Sequence, residues 1–373
     1  MAPQQFSLLC LENPLLDIQG QGDQAMLEKY GMKLNDTLLA EPNQMGLYED
    51  LIQNHDAKLI PGGAAQNTAR GAQYMLPPDS VWYIGAVGKD EYAETLRQKC
   101  KEQGLRVEYH VDEKEPTGRC GVVITDHHRS MCTHLAAANE YKLEHLKSER
   151  IWSMVEKSTV YYVGGYHLTV CVPAAMALAK EAAAKNKIYM LSLSAGFIPQ
   201  FFKDAVAEVF PYCDYVFGNE NEATTWAETQ GHTTKSIPEI AKLMAQMPKE
   251  NTQRPRIVIV TQGTDPTVVA ISKAGGEAEV KEYPVSAIEK SEINDTNGAG
   301  DAFAGGFCAG VVQEKPLEEC IRMGHWLARL SLKELGPSCV SLLFSPNLST
   351  PPHSSAVCSQ IHRYPFPKQT YSS

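Results

Sequence analysis

Short runs of β-branched and aromatic residues alternate along the chain with stretches whose apolar positions recur every three to four residues. Val81 to Val87 precedes a helical pattern over Glu91 to Gln103, and Val160 to Val163 precedes another over Ala174 to Lys185. Lys187 to Leu193, Tyr215 to Phe217, Arg256 to Thr261 and Val268 to Ile271 add further strand-like runs, and long helical patterns begin at Asp301 and Glu318. Strands that are apolar throughout and separated by helices predict a parallel α/β sheet covered on both faces. In the last pattern Ile321, Gly324, Ala328, Leu332 and Leu335 follow one helical face, and Gly336-Pro337 is its stop signal.

Two stretches break this rhythm. Gln19 to Ala40 and Pro116 to Leu135 mix short strand-like segments with Gly20, Gly22, Gly118 and Gly121, and are expected to pair into a small lid. A third, Cys339 to Arg363, has six Ser, three Pro, no Asp or Glu and a single Arg. That composition is read as a disordered insertion foreign to the fold, because its removal would join Ser338 directly to Tyr364-Pro365-Phe366-Pro367-Lys368. The expected division is a core of residues 1–18, 41–115 and 136–338, a lid of 19–40 and 116–135, the insertion 339–363 and a tail 364–373.

Composition then removes several classes of function. With 373 residues, 43% hydrophobic and 21% charged, the chain can bury a full core without disulfide or metal staples. Its 34 Lys+Arg against 44 Asp+Glu give a net charge of -10, which excludes the bulk phosphate attraction of a nucleic-acid binder. A phosphorylated ligand would need a dedicated local site. The ten cysteines are dispersed, with no paired or metal-ligand spacing, and read as small buried hydrophobes of a reducing compartment. The N-terminal segment lacks a basic start, and no apolar run reaches the length of about 18 residues that spans a membrane. A cytoplasmic protein, open also to the nucleus, with no membrane partner is expected.

The strongest chemical signal is Asp295-Thr296-Asn297-Gly298-Ala299-Gly300-Asp301, which runs into the helix-compatible Ala302 to Phe307. Small residues at a helix start leave main-chain N–H groups open as an anion cradle. A carboxylate there would repel phosphate unless it has a role, and the role that fits Asp301 is accepting the proton of a hydroxyl that attacks phosphorus. Taken singly, the segment also reads as a glycine turn with an acidic helix start. Likewise Gly62-Gly63-Ala64-Ala65-Gln66-Asn67 alone is a turn before a helix, and Asn219-Glu220-Asn221-Glu222 a solvated acidic turn.

Together, in order and spacing, the three motifs resemble those of the ribokinase-like (pfkB) kinase superfamily. The resemblance implies a three-layer α/β/α core with a mostly parallel central sheet and a small α/β lid. It also implies Asp301 as general base and Gly298, Ala299 and Gly300 as an anion hole. Gly62, Gly63 and Ala64 would lie beside the substrate ribose, Asn67 would hold a hydroxyl, and Glu222 would position Mg²⁺ through water. Asn219, Thr261, Gly263, Asn297, Gly298, Gly300 and His325 would line the ATP site.

Within the superfamily, Asn13-Pro14-Leu15-Leu16-Asp17, Leu193-Ser194-Ala195 and Gly324-His325 resemble the branch that phosphorylates adenosine, over residues 8 to 338. That likeness implies ATP-dependent phosphorylation of the adenosine 5′-hydroxyl, giving AMP and ADP in purine salvage, by a monomer with ATP and adenosine as its partners. Asp17 would accept both ribose hydroxyls, a pairing that selects ribosides because a buried acceptor left unmet costs about 1–3 kcal/mol. Asn13 would contact the nucleoside, with Leu15, Leu39, Met131, Thr133 and Leu135 as apolar lining. Arg129 would reach the transferred phosphate, and His167, where animal relatives carry Phe, would stack on adenine. Ser192 and Thr264 depart from the family pattern and carry no role. The alternatives are a ribose- or fructose-type kinase of the same superfamily and a catalytically silent nucleoside-binding protein on the same scaffold.

Overall fold

Short runs that are apolar on both sides are satisfied only in the middle of a sheet covered on both faces. A computed structural model of the chain, which describes residues 6–125 and 128–333, has that arrangement. The strands in the first half are β1 (Leu8–Leu11), β2 (Leu15–Gln21), β3 (Thr37–Leu39), β4 (Lys58–Gly62), β5 (Val81–Ile84), β6 (Ala86–Gly88), β7 (Arg106–Val107) and β8 (His110–Asp112). They are followed by β9 (Arg119–Thr125), β10 (His128–His134), β11 (Val160–Val163), β12 (Ile188–Ser192), β13 (Tyr215–Asn219), β14 (Ile257–Gln262), β15 (Asp265–Lys273) and β16 (Gly276–Tyr283). The expected insertion 339–363, the tail 364–373 and the Leu335 to Pro337 helix stop lie outside the described residues.

The main sheet runs β16-β15-β14-β13-β12-β11-β1-β5-β7. Every pair from β14 to β7 is parallel, and only β15 and β16 add antiparallel edges. Alternate side chains face opposite layers. Leu9, Leu11, Tyr161, Val163 and Tyr189 join the core beneath the helices Val172–Lys185, Glu220–Thr229 and Ile237–Gln246. Leu8, Cys10, Tyr162 and Met190 join the opposite core, beneath Ala64–Met75, Glu91–Glu102, Ala299–Val312 and Leu317–Ser331. This is the three-layer α/β/α core with a mostly parallel sheet. The eight described cysteines are free and buried.

A smaller sheet, β3-β10-β9-β2-β4, stands beside the main one. It draws strands from both irregular stretches and also takes β4, whose register sets Leu15 opposite Gly62 and Asp17 opposite Ile60. One face is apolar: Ile18, Val123 and Cys132 pack with Met26 and Leu27 of the helix Gln24–Lys29 and with Leu47, Tyr48 and Leu51 of Leu47–Asn54. Because strand side chains alternate, the register gathers Leu15, Asp17, Arg129, Met131, Thr133 and Leu39 on the other face. Residues from three segments of the chain thereby share one wall.

The far end of the main sheet is anchored by a fully buried arginine. Arg256 donates to the carbonyls of Met247 at 2.6 Å, Pro248 at 2.7 Å, Phe210 at 2.9 Å and Cys213 at 3.3 Å. These carbonyls lie where helical segments end, so a cation there meets the negative ends of their dipoles. Arg256→Met would keep the volume but leave the carbonyls unmet. A loss of about 3–5 kcal/mol of stability is expected, read as a lower urea midpoint at unchanged slope.

Candidate active site

The site forms where the chain crosses from one sheet to the other. β1 ends at Leu11, and Glu12-Asn13-Pro14 carries the backbone into β2, held by a 2.7 Å hydrogen bond from the Tyr83 hydroxyl to the Glu12 carbonyl. β4 then returns beside β2 and leads into the helix Ala64–Met75. A Cβ on Gly62 would lie 2.2 Å from the Asp17 carboxylate, and one on Gly63, whose φ is +92°, would lie 2.4 Å from the Asn13 carbonyl oxygen. Only a glycine pair lets this helix begin so close to both residues.

A second helix, Ala299–Val312, starts at Gly298 in the left-handed conformation, φ +76° and ψ 2°, with Asp301 in its first turn. The two helix starts meet through side chains. Asn67 Nδ2 donates to Asp301 Oδ2 at 3.0 Å, and Arg70, one turn further on, donates Nη1 to Asn67 Oδ1 at 3.2 Å and to the Pro61 carbonyl at 2.5 Å. The amide of Asn67 therefore has one orientation: the reverse would set oxygen against carboxylate and N–H against guanidinium.

Four carboxyl groups crowd this junction, and burial raises each of them. Asp301 is pushed up to about 6, opposed by the Asn67 hydrogen bond. Asp17 is pushed up to about 7, opposed by the charges of Arg70 and Arg129. Glu222 rises to about 7 and Glu12 to about 8. Arg129 on β10 reaches across from the small sheet and pairs with Asp295 at 3.0 Å, both side chains being buried. The other Asp295 oxygen accepts the Asn297 N–H at 3.0 Å, so one carboxylate shapes the glycine turn and holds the small sheet to it. Two buried atoms here, Arg129 Nη2 and Asn13 Oδ1, have no partner among the described residues, as expected of groups that bind a ligand.

The nucleotide-side candidates lie along neighbouring strand ends. Asn219 and Glu222 form a reciprocal capping box at the start of Glu220–Thr229: Glu222 accepts the Asn219 N–H at 3.0 Å and its Nδ2 at 2.8 Å. Thr261, next to last in β14, pairs with Asn219, and Gly263 follows in the turn with φ +59° and open space around it. Asn297 is exposed. The His325 ring packs against Phe303 and shares a 2.9 Å hydrogen bond with Thr267. Leu39 is 64% exposed on the edge strand, while Leu135 follows β10 and is half-buried.

His167, expected to stack on adenine, is buried and makes no hydrogen bond through either ring nitrogen among the described residues. Its ring is wholly enclosed and lies edge-on to Tyr141 at 5.2 Å, and burial lowers its pKa to about 3. Arg70, Asp295 and Glu12 were not expected at the site. Arg70 carried a signal, since it follows Asn67 by three positions in a helix and so shares its face.

A buried carboxylate beside an anion cradle, at the carboxyl ends of a parallel sheet and under a second sheet, defines a small-molecule phosphotransferase. The chain belongs to the pfkB family: the model of that family, pfkB family carbohydrate kinase, matches residues 24–341. It is 44% identical over 333 residues to adenosine kinase of Schizophyllum commune, a match covering 89% of this chain and 96% of that one. Adenosine kinase 1 of Arabidopsis thaliana is 42% identical over 330 residues, 88% of this chain and 94% of its own. The crystal structure of Anopheles gambiae adenosine kinase in complex with P1,P4-di(adenosine-5) tetraphosphate matches with a TM-score of 0.81 at 41% identity, covering 88% of this chain and 96% of that one. The apo structure from Trypanosoma brucei brucei matches at 0.84 and 30%, covering 88% and 99%.

Arg70 generates a direct prediction. Its charge is the first attraction opposing the burial of Asp17. In Arg70→Met the Asp17 carboxyl is expected to titrate clearly above its present value of about 7, as followed by carboxyl-carbon NMR. An unmoved titration would show that Arg70 does not set that charge.

Proposed function

We propose that the chain transfers the γ-phosphoryl group of ATP to the 5′-hydroxyl of adenosine, giving AMP and ADP. The observation that carries this reading is the Asn67–Asp301 hydrogen bond, which joins the ribose-side glycine pair to the phosphate-side glycine turn at one carboxylate. Adenosine lies against the Gly62-Gly63-Ala64 helix start and the polar face of the small sheet, which acts as the lid. Asp17 accepts from the ribose hydroxyls, Asn13 Oδ1 takes a donor of the nucleoside, and Leu15, Leu39, Met131, Thr133 and Leu135 supply apolar contact. ATP lies along Asn219, Thr261, Gly263, Asn297 and His325, with its terminal phosphate at Gly298 to Gly300.

Asn67 occupies one oxygen of Asp301 and leaves the other to take the proton of the 5′-hydroxyl. As the phosphoryl group moves through a loose transition state, the amides of Gly298, Ala299 and Gly300 and the free N–H groups of Arg129 meet the charge on its oxygens. Closure of the small sheet excludes water, which would otherwise compete as acceptor.

Kinases of this family use a divalent metal ion with ATP. Among the described residues no group of three or more His, Cys, Asp or Glu could hold one. Both oxygens of Glu222 already accept from Asn219. That donor set fits an ion carried on the phosphates of ATP with Glu222 reaching it through water, and we assign the ion as Mg²⁺. When bound it neutralises charge on the phosphate oxygens.

Two outcomes test the reading. Asp301→Asn keeps the acceptor shape but cannot take a proton, so turnover should fall by about 10²–10⁴ while adenosine affinity stays within about twofold. Retention of more than a few percent of the rate would remove Asp301 as base. Both Asp301 and Asp17 act as carboxylates, and protonation silences them, so activity is lost as pH falls. The value of kcat/KM for adenosine should therefore drop below a pH of about 7 and steepen towards a two-proton dependence below about 6. A profile flat from pH 8 to pH 5 would contradict both assignments.

A further inference from the structure

Glu12 is a buried acid that the reaction above does not use. It is 1% exposed, and it ionises beside Cys10, Tyr83, Tyr162, Tyr166 and Asp301, none of which is basic. Its side chain makes no ion pair among the described residues. A buried acid with no cation to pair with is costly for stability alone, so its partners indicate what it is for.

Those partners come from three separate places. Glu12 Oε2 accepts the N–H of Ala65 at 2.7 Å, in the first turn of the helix Ala64–Met75. That helix begins at Gly63, which offers no side-chain cap, so Glu12 supplies the missing acceptor from 53 positions away. Oε1 accepts the N–H of Tyr166 at 3.3 Å, in the turn after β11, and the hydroxyl of Ser194 at 3.3 Å, after β12. Ser194, at φ +62°, in turn accepts the Gly165 N–H at 2.8 Å. The backbone wraps so closely that a Cβ on Gly164 would lie 1.8 Å from Glu12 Oε1. Glycine at 164 is thus a consequence of the acid at 12.

β12, β11 and β1 are neighbours in the main sheet, and their carboxyl ends are where ligands of such sheets bind. We infer that Glu12 is a positioning residue of the nucleoside site, one whose carboxyl group ties the Ala64 helix start and the turns at 164–166 and 194 into a single wall behind Asn13. The inference rests on the function proposed above. Glu12 touches no reacting atom in that scheme, and its effect falls on how firmly the nucleoside is held. Glutamine replaces it only in part: with its oxygen on the Ala65 N–H, its NH₂ can donate to the Ser194 hydroxyl oxygen, but it no longer accepts the Tyr166 N–H.

The test is steady-state kinetics on Glu12→Gly, Glu12→Gln, Gly164→Ala and the double variant Glu12→Gly with Gly164→Ala, with wild type alongside. Loss of the brace should raise KM for adenosine roughly tenfold in Glu12→Gly and by less in Glu12→Gln, with kcat and KM for ATP within about threefold. Gly164→Ala alone should be at least as damaging, because its methyl meets the carboxylate. Added to Glu12→Gly, the same methyl enters vacated space and should change KM by less than about twofold. Thermal midpoints of the four variants should show the same coupling, a readout available without substrate. An adenosine KM in Glu12→Gly equal to that of wild type, or a Gly164→Ala effect equal in both backgrounds, overturns the inference. A wild type that forms no AMP from adenosine and ATP fails the functional reading instead, and the coupling in thermal midpoints still decides whether Glu12 and Gly164 constrain each other.

Discussion

The hydrogen bond from Asn67 to Asp301 is the constraint on which the rest of the site depends. It spans 234 positions in sequence and joins the starts of two helices, each preceded by a glycine at positive φ. A helix start is a cluster of unpaired N–H groups with partial positive charge. Bringing two of them together makes a pocket rich in donors, and that explains how an acidic protein gathers carboxylates at one point. Glu12, Asp17, Glu222 and Asp301 all ionise later than in water because burial removes their hydration. Near neutrality some of them keep their protons, and mutual repulsion is relieved without a cation for each.

Features held by local backbone geometry were legible in the chain. A glycine pair before a helix and a glycine turn ending in Asp301 are constrained within a few residues, so their motifs carry both conformation and chemistry. The alternation of apolar strands with helices was equally local, and it led to the right layers. The polar face of the small sheet was less accessible. Asp17, Met131 and Thr133 share a wall because β2, β9 and β10 pair in one register, and register is a tertiary fact.

The burial of His167 and the omission of Glu12 have one physical origin. Sequence gives a position along the chain and leaves open which way a side chain turns. The segment Gly165–Thr169 is a tight 3-10 turn that sets the buried His167 ring against Tyr141. Glu12 meets partners 53, 154 and 182 positions away, and no local pattern marks it except that an acid follows the wholly buried strand Leu8–Leu11. Arg70 was within reach of helical spacing, because its role passes through a neighbour one turn away.

Asp295 shows how the two sides of the site are made to depend on each other. Its two oxygens are divided, one holding the Asn297 amide and so the shape of the glycine turn, the other holding Arg129 and so the edge of the small sheet. A phosphate arriving at the turn competes with Asp295 for the same guanidinium, and a planar guanidinium can serve both anions at once through different nitrogens. Nη1 is committed to Asp295 while Nη2 is buried and has no partner among the described residues. In the proposed reaction the ion pair holds Arg129 ready for a second anion and links β10 to the amides that would bind it. On the proposed function, closing the small sheet over the nucleoside and shaping the anion hole are one event, since the same carboxylate holds both.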